Sequence, residues 1–125
     1  MQIRKDPLEN GCCYHIFSRS IAKFVVFNNA KEYFRMTELL NVYNFTEFKY
    51  KYSRFCDLEL EKRFLVLLEL EKSSPKYVDI IAYCIMPTHF HLILRQRQDG
   101  GISEYMAKFL NSYSRFFNTT HRRTG

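Results

Sequence analysis

Two histidines inside a β-like run are the residues of this sequence best suited to chemistry. His89 and His91 lie in the stretch YCIMPTHFHLIL, residues 83–94. On a strand, residues i and i+2 point to the same face, so both imidazoles share one side while Phe90 and Leu92 occupy the other. Two imidazoles at this spacing can bind one cation, although a bare His-x-His also suits a solvated strand face. The spacing therefore predicts a candidate metal site.

The other two histidines bear on which metal this pair would bind. A tetrahedral zinc site needs four ligands, and no nearby Cys or third His completes such a set. His15 lies on another predicted strand and can approach the pair. His121 lies among arginines, where we expect it to contact phosphate or solvent. The sequence does not favour zinc.

The charge of the chain is positive and unevenly distributed. Its 19 Lys and Arg against 13 Asp and Glu give a net charge of +6. From Arg95 onward six basic residues accompany two acidic ones, a balance of +4, whereas the preceding 94 residues carry +2. A basic C-terminal third favours a polyanion, most simply nucleic acid. The candidate backbone contacts, each of which could equally be a solvated charge, are Arg95, Arg97, Lys108, Arg115, Arg122 and Arg123.

Length and composition limit the class of protein. A chain of 125 residues with 46% hydrophobic content predicts one folded domain. It has no long uncharged apolar run and no N-terminus of the secretory type, so we expect neither a membrane span nor a signal peptide. The four cysteines form no CxxC pair, which predicts reduced thiols in a cytoplasmic protein.

The elements that must position the histidines are predicted in the order strand, helix, helix, strand, strand. Asn29 and Glu32 have the spacing of a helix N-terminal capping pair, so the first helix begins at about Ala30. A short Pro-Thr turn joins the last two strands into an antiparallel hairpin. The other predicted bounds are Tyr14–Ser20 for the first strand, Tyr52–Lys72 for the second helix, and Tyr77–Met86 and His89–Arg95 for the hairpin.

A final amphipathic helix follows the hairpin. Ser103 is the predicted N-cap, with Glu104 in the first turn, and apolar residues recur at i, i+3, i+4 and i+7 for four turns. Lys108, Ser112 and Arg115 lie on the opposite face, where they remain free to meet a ligand. This order of elements with antiparallel strands predicts an α+β fold with helices packed against a sheet.

Two sets of tyrosines each admit a structural and a functional interpretation. The stretch FKYKYSRF, residues 48–55, interleaves basic and aromatic residues as a stacking platform for bases would. It equally fits a helix that buries its tyrosines. Tyr105 and Tyr113 lie on the apolar face of the last helix, where packing explains both.

The stretch YCIMPTHFHLIL resembles the His-hydrophobic-His (HUH) motif of the single-tyrosine transposases, particularly the REP-associated tyrosine transposases and their insertion-sequence relatives. GCCYHIFSRSIAKFVVF is similar to the first strand of that family, and LNSYSRFFNTTHRRTG to the helix and basic exit after the motif. The resemblance covers nearly the whole chain and is weakest in residues 44–75.

The resemblance implies a ferredoxin-like sheet with His89 and His91 on a central strand, where they bind Mg²⁺ or Mn²⁺. In that family a tyrosine attacks single-stranded DNA, often beside a hairpin, and forms a 5′-phosphotyrosine link. Imidazole suits Mn²⁺ better than Mg²⁺, which prefers oxygen ligands. Substrate phosphate and water would therefore complete the ligand shell. A homodimer is also compatible with the resemblance.

The attacking tyrosine of that family lies on a further C-terminal helix, and no residue here matches it. We therefore expect a single HUH domain truncated at its C-terminus, a metal- and DNA-binding body without its own nucleophile. Tyr113 is the fallback nucleophile. The alternative is a non-catalytic module that binds single-stranded or hairpin nucleic acid, although the Lys/Arg-Gly-aromatic string of an RNA-recognition sheet is not present.

Overall fold

The computed structural model describes residues 7–19 and 25–122. Three strands and four helices follow one another along these ranges. Their bounds are β1 (Cys13–Arg19), α1 (Ala30–Val42), α2 (Tyr52–Cys56), α3 (Leu60–Ser73), β2 (Val78–Met86), β3 (His89–Gln96) and α4 (Gly101–Thr120). Ser20, the predicted end of the first strand, lies outside the described residues.

The strands form an antiparallel sheet in the order β1-β3-β2. Strand β3 is therefore the central strand, and it carries both histidines of the His-x-His motif. With α2 and α3 counted as an insertion, the described elements follow the β-α-β-β-α succession of a ferredoxin-like fold. The predicted α+β class, the hairpin and the central position of the motif are confirmed.

The helices cover one face of the sheet. Alternate residues of β3, among them Phe90, Leu92 and Leu94, are buried there. The Phe90 ring lies 6.0 Å from that of Phe109 on α4, and α4 also packs against α1. Full burial of such a side chain stabilises the fold by about 1.5–3 kcal/mol. The core therefore packs against one face of β3, and the residues between these buried ones lie on the opposite face.

The start of α1 agrees with the capping prediction. The Asn29 side chain accepts a hydrogen bond from the Glu32 backbone N–H at 3.0 Å, and the helix begins at Ala30. The Glu32 carboxylate turns back to the N–H of Asn28 at 2.7 Å. The first contact satisfies a backbone donor that the helix N-terminus leaves without a partner, and the second fixes the residue just before the cap.

The prediction of one helix over Tyr52–Lys72 is wrong, because the segment forms α2 and α3. Tyr52 and Phe55 of α2 are buried, and Phe55 packs edge-on against Phe48. The N–H of Asp57 bonds to Arg54 and closes a turn after this short helix. The buried helix α2 thus ends at Cys56, and a separate helix α3 begins at Leu60 with many of its apolar side chains exposed. These exposed side chains are Leu60, Phe64, Leu65 and Leu68.

The prediction that Ser103 caps α4 is also wrong. The helix begins at Gly101, after Gly100 in the left-handed region at φ 68°. A Cβ at residue 101 would lie 2.5 Å from the carbonyl oxygen of Tyr77, so only glycine fits at this close approach. The N–H of Ile102 is satisfied by the buried side chain of Gln96, whose Oε1 lies 3.1 Å away. A residue of β3 therefore takes the role expected of Ser103.

We expect Gln96→Ala to lower the free energy of unfolding by about 2–3 kcal/mol. Besides capping α4, the Gln96 amide donates to the carbonyl of Leu8 at 2.9 Å and to the Asn10 side chain at 3.0 Å, so its loss removes three hydrogen bonds, one of them to the buried N–H of Ile102. Urea denaturation followed by circular dichroism measures the change. Ser103→Ala is the control and should cost less than about 0.5 kcal/mol, because Ser103 is exposed inside the first turn. Equal costs for the two variants would contradict this assignment of the cap.

Two further observations bear on the chain's environment. The four cysteines, Cys12, Cys13, Cys56 and Cys84, all lie in the described ranges and are all free thiols. Among helices α1 to α4, none has both the length and the apolarity needed to cross a membrane.

Candidate metal and nucleic-acid-binding site

His89 and His91 project from the face of the sheet that the described helices leave open. Both are half-buried, while their strand neighbours Phe90 and Leu92 are buried on the opposite face. The two imidazole centroids lie 5.2 Å apart with their planes nearly perpendicular. Thr88 Oγ1 lies 3.1 Å from Nδ1 of His89. The same-face arrangement expected from the spacing is present.

His15 on β1 brings a third imidazole to this face. Its Nε2 lies 2.9 Å from Nδ1 of His91, and the two rings stack at 5.1 Å. The Phe17 ring packs 5.0 Å from His91 and 6.0 Å from His89. His91 is therefore held between residues of the neighbouring strand. The sequence allowed His15 to approach, but only the register of β1 on β3 shows that His91 is its partner.

The imidazoles on this face suit a cation that takes most of its ligands from solvent or substrate. Within residues 7–19 and 25–122, no group of three or more His, Cys, Asp or Glu side chains is arranged to hold a metal ion. Two imidazoles from one strand leave most coordination positions to water or phosphate oxygens, which suits Mn²⁺ and not a closed tetrahedral zinc site. His89 and His91 are thus compatible with a weak divalent site that a phosphate group would complete.

The predicted phosphate contacts divide into two groups in space. Arg95 lies on β3 and Arg97 directly follows this strand, and both guanidinium groups contact Asp79, at 3.5 Å and 3.4 Å. The side chains of all three residues are partly exposed, so these pairs are worth less than about 1 kcal/mol each. Arg122 follows α4 and is exposed. Arg123 lies outside the described residues.

Lys108 and Arg115 lie on α4, in the helical layer. Both line a cavity of about 540 Å³, together with Lys49, Tyr50 and Lys51 from the segment before α2. Arg115 is exposed and Lys108 half-buried, as expected for residues free to meet a ligand. Ser112 is buried, in contrast to the expectation of a free side chain, although it lines a neighbouring cavity together with Arg115.

The stretch at residues 48–55 combines the two interpretations of its aromatic residues. Phe48, Tyr52 and Phe55 are buried in the core, as the packing interpretation expects. Tyr50 is 36% exposed and lies before α2, with lysines on either side. The stacking interpretation therefore survives for Tyr50 alone.

Tyr105 and Tyr113 are buried, in agreement with the packing interpretation. The Tyr105 hydroxyl donates to the carbonyl of Leu40 at 2.6 Å, and the Tyr113 hydroxyl donates to that of Val26. Burial raises the pKa of both phenols far above the ordinary value, and the nearby Glu32 carboxylate raises that of Tyr113 further. Tyr113 shares a cavity of about 190 Å³ with His89, yet its oxygen is protonated and occupied.

His121 remains partly exposed to solvent, as expected, and it also pairs with a carboxylate that the sequence did not predict. Its Nε2 lies 2.6 Å from Oε2 of Glu32, and its ring packs 4.2 Å from Phe117. Glu32 is 1% exposed. Burial opposes its ionisation, but hydrogen bonds from Asn28 and His121 outweigh that effect and hold the pKa of Glu32 below its ordinary value. The pair ties the end of α4 to the start of α1.

Comparison with known proteins adds one match. A family model described as "Transposase IS200 like" matches residues 40–124, a range that begins within α1 and includes both β3 and α4. The match leaves out β1. No curated protein and no solved structure matches the chain significantly.

Proposed function

The chain belongs to the IS200-like transposase family, and from this premise we propose that it supplies the metal site and the DNA-binding body for single-strand DNA cleavage and strand transfer. The observation that carries the proposal is the pair His89 and His91 on one open face of the central strand. Strand cleavage requires that the negative charge developing on the phosphodiester be neutralised. The two imidazoles of this face could bind a cation that serves this purpose.

Each residue of the open face has a distinct role in the proposal. His89 and His91 would hold a divalent ion, Mn²⁺ or Mg²⁺, with substrate oxygens as further ligands. When bound, such an ion acts as a Lewis acid on the phosphate oxygens. His15 orients the His91 ring through its 2.9 Å contact, as partners of ligating histidines commonly do. Arg95 at the end of β3 and Arg97 just after it contact the DNA backbone and keep Asp79 as an internal partner.

We do not assign the attacking group to Tyr113. A nucleophilic tyrosine must give up its proton near neutral pH and reach an in-line phosphorus. The Tyr113 hydroxyl instead donates to a backbone carbonyl, and burial raises its pKa. The same reasons apply to Tyr105.

The proposal predicts that the protein binds labelled single-stranded and hairpin DNA with an affinity that falls steeply with salt. Each phosphate contact to a single strand contributes about −0.7 to the slope of log K against log salt. Five contacts would therefore give a slope of about −3.5. Fluorescence anisotropy over a salt series measures it. Binding that is absent, or that ignores salt, would contradict the DNA-binding function.

Incubation of the protein with the same DNA and Mn²⁺ tests for covalent strand cleavage and for the role of Tyr113 together. Any protein–DNA adduct that resists denaturant should survive Tyr113→Phe unchanged. An adduct that disappears in Tyr113→Phe would overturn the assignment above. Intact, salt-dependent DNA binding without any adduct would favour the alternative, a non-catalytic module for single-stranded or hairpin DNA.

A further inference from the structure

Two cavities on the helical layer adjoin at Lys51 and Arg115, which line both of them. One has a volume of about 540 Å³ and also contains Lys49, Tyr50 and Lys108. The other has a volume of about 500 Å³ and extends to Arg35. Each lies in the range of about 300–1,000 Å³ typical of ligand sites. We call this feature the basic groove; its basic and stacking residues are Arg35, Lys49, Tyr50, Lys51, Lys108 and Arg115.

Much of the positive charge of the basic groove has no carboxylate partner in the described part of the chain, although Arg35 lies near Glu38. Five of its lining residues are cations, and none is a carboxylate. Lys51, Lys108 and Arg115 have no carboxylate of residues 7–19 or 25–122 within 4.0 Å, whereas Arg95 and Arg97 share Asp79. Uncompensated cations along a groove favour an extended polyanion.

Tyr50 gives the basic groove a supported aromatic surface. Its ring packs 5.7 Å from both Phe48 and Phe55, and it keeps 36% of its surface exposed. The Tyr43 hydroxyl accepts from the N–H of Tyr52 at 3.0 Å and lies 3.4 Å from the carbonyl of Tyr50, which fixes the backbone on both sides of Lys51. A rigid, half-exposed ring between lysines is what base stacking requires.

We propose that the basic groove is a second DNA site, which binds the phosphates of a single-stranded segment through Lys51, Lys108 and Arg115 while a base stacks on Tyr50. This inference rests on the proposed function, since it assumes a DNA substrate. The groove lies in the helical layer, and the histidines lie on the opposite face of the sheet. The DNA is therefore held on two sides of the protein, and the groove contributes affinity and not chemistry.

The test compares two double variants that remove the same charge. Lys51→Ala with Arg115→Ala changes the groove, and Lys62→Ala with Lys72→Ala changes exposed lysines on α3. With labelled oligothymidylate, the groove variant should reduce the salt slope by about 1.4 and weaken binding near 0.1 M salt about 20-fold. The α3 variant should change affinity by about twofold at most. Tyr50→Ala should weaken binding about tenfold with an unchanged salt slope.

The outcomes separate this inference from the proposed function. Equal weakening by the two double variants would mean that net charge alone matters, and would overturn the groove. Failure of the unmodified protein to bind any DNA would instead overturn the function. Photo-crosslinking of the unmodified protein to oligothymidylate carrying 5-iododeoxyuridine needs no variant. A crosslink in the peptide that contains Tyr50 is expected, and crosslinks confined to other peptides would overturn the proposal.

Discussion

Replacement of Glu32 by alanine is expected to lower the free energy of unfolding by about 3 kcal/mol. The buried carboxylate accepts hydrogen bonds from the backbone and side chain of Asn28 and contacts His121, 89 positions away along the chain. Its removal leaves the Asn28 N–H unsatisfied and releases the end of α4. Urea denaturation at neutral pH measures the loss, with exposed Glu61→Ala on α3 as a control that should change stability by less than about 0.5 kcal/mol.

The same residue predicts how stability depends on pH. The pKa of Glu32 is lowered below its ordinary value of 4.5 in the folded protein. Its contribution is therefore present in full above the unfolded-state pKa and is lost as the pH falls through the lower folded-state pKa. Glu32→Gln should reduce the loss of unfolding free energy as the pH falls through this range. If the variant and the unmodified protein lost stability identically at acidic pH, the role of this carboxylate would be contradicted.

Loss of either histidine of the open face is expected to weaken Mn²⁺ binding about 100-fold or more. The reason is that His89 and His91 supply the only protein donors in the proposal, so each variant leaves a single imidazole. His15→Ala should have a smaller effect, about tenfold, because His15 acts through the orientation of the His91 ring. Isothermal titration calorimetry with Mn²⁺ measures all three affinities without any DNA.

Ile93→Ala is the matched control for the metal experiment. Ile93 lies on the same strand and the same face and is partly exposed, so its loss removes no donor. We expect its Mn²⁺ affinity to equal that of the unmodified protein. If His89→Ala and His91→Ala also bound Mn²⁺ as the unmodified protein does, the metal role of the motif would be refuted.

The parts of the fold that the sequence predicted are those fixed by local patterns. The hairpin follows from two apolar runs around Pro87 and Thr88, and α4 from four turns of regular apolar spacing. The same-face placement of His89 and His91 follows from the period of a strand. Each of these inferences needs only residues that are close in the chain.

The errors all arose where a distant residue decides the local structure. Gln96 caps α4 from the end of β3, and burial of Phe55 separates α2 from α3. Glu32 pairs with His121 across 89 positions of the chain. No periodicity in one sequence encodes such contacts. For the same reason, the approach of Lys49 and Lys51 to Lys108 and Arg115 could not be anticipated.

The order of strands in the sheet has a consequence for how the molecule reaches its native state. Strand β3 pairs with β2 across a two-residue turn, but with β1 it pairs across about seventy to eighty positions of the chain. Closure of so long a loop is slow, so we expect the hairpin to form early and β1 to dock late in folding. Until β1 docks, the strand that carries both histidines is an open edge with unpaired backbone groups. Refolding at high protein concentration should therefore lose material to aggregation chiefly at that stage, through pairing of this edge between chains.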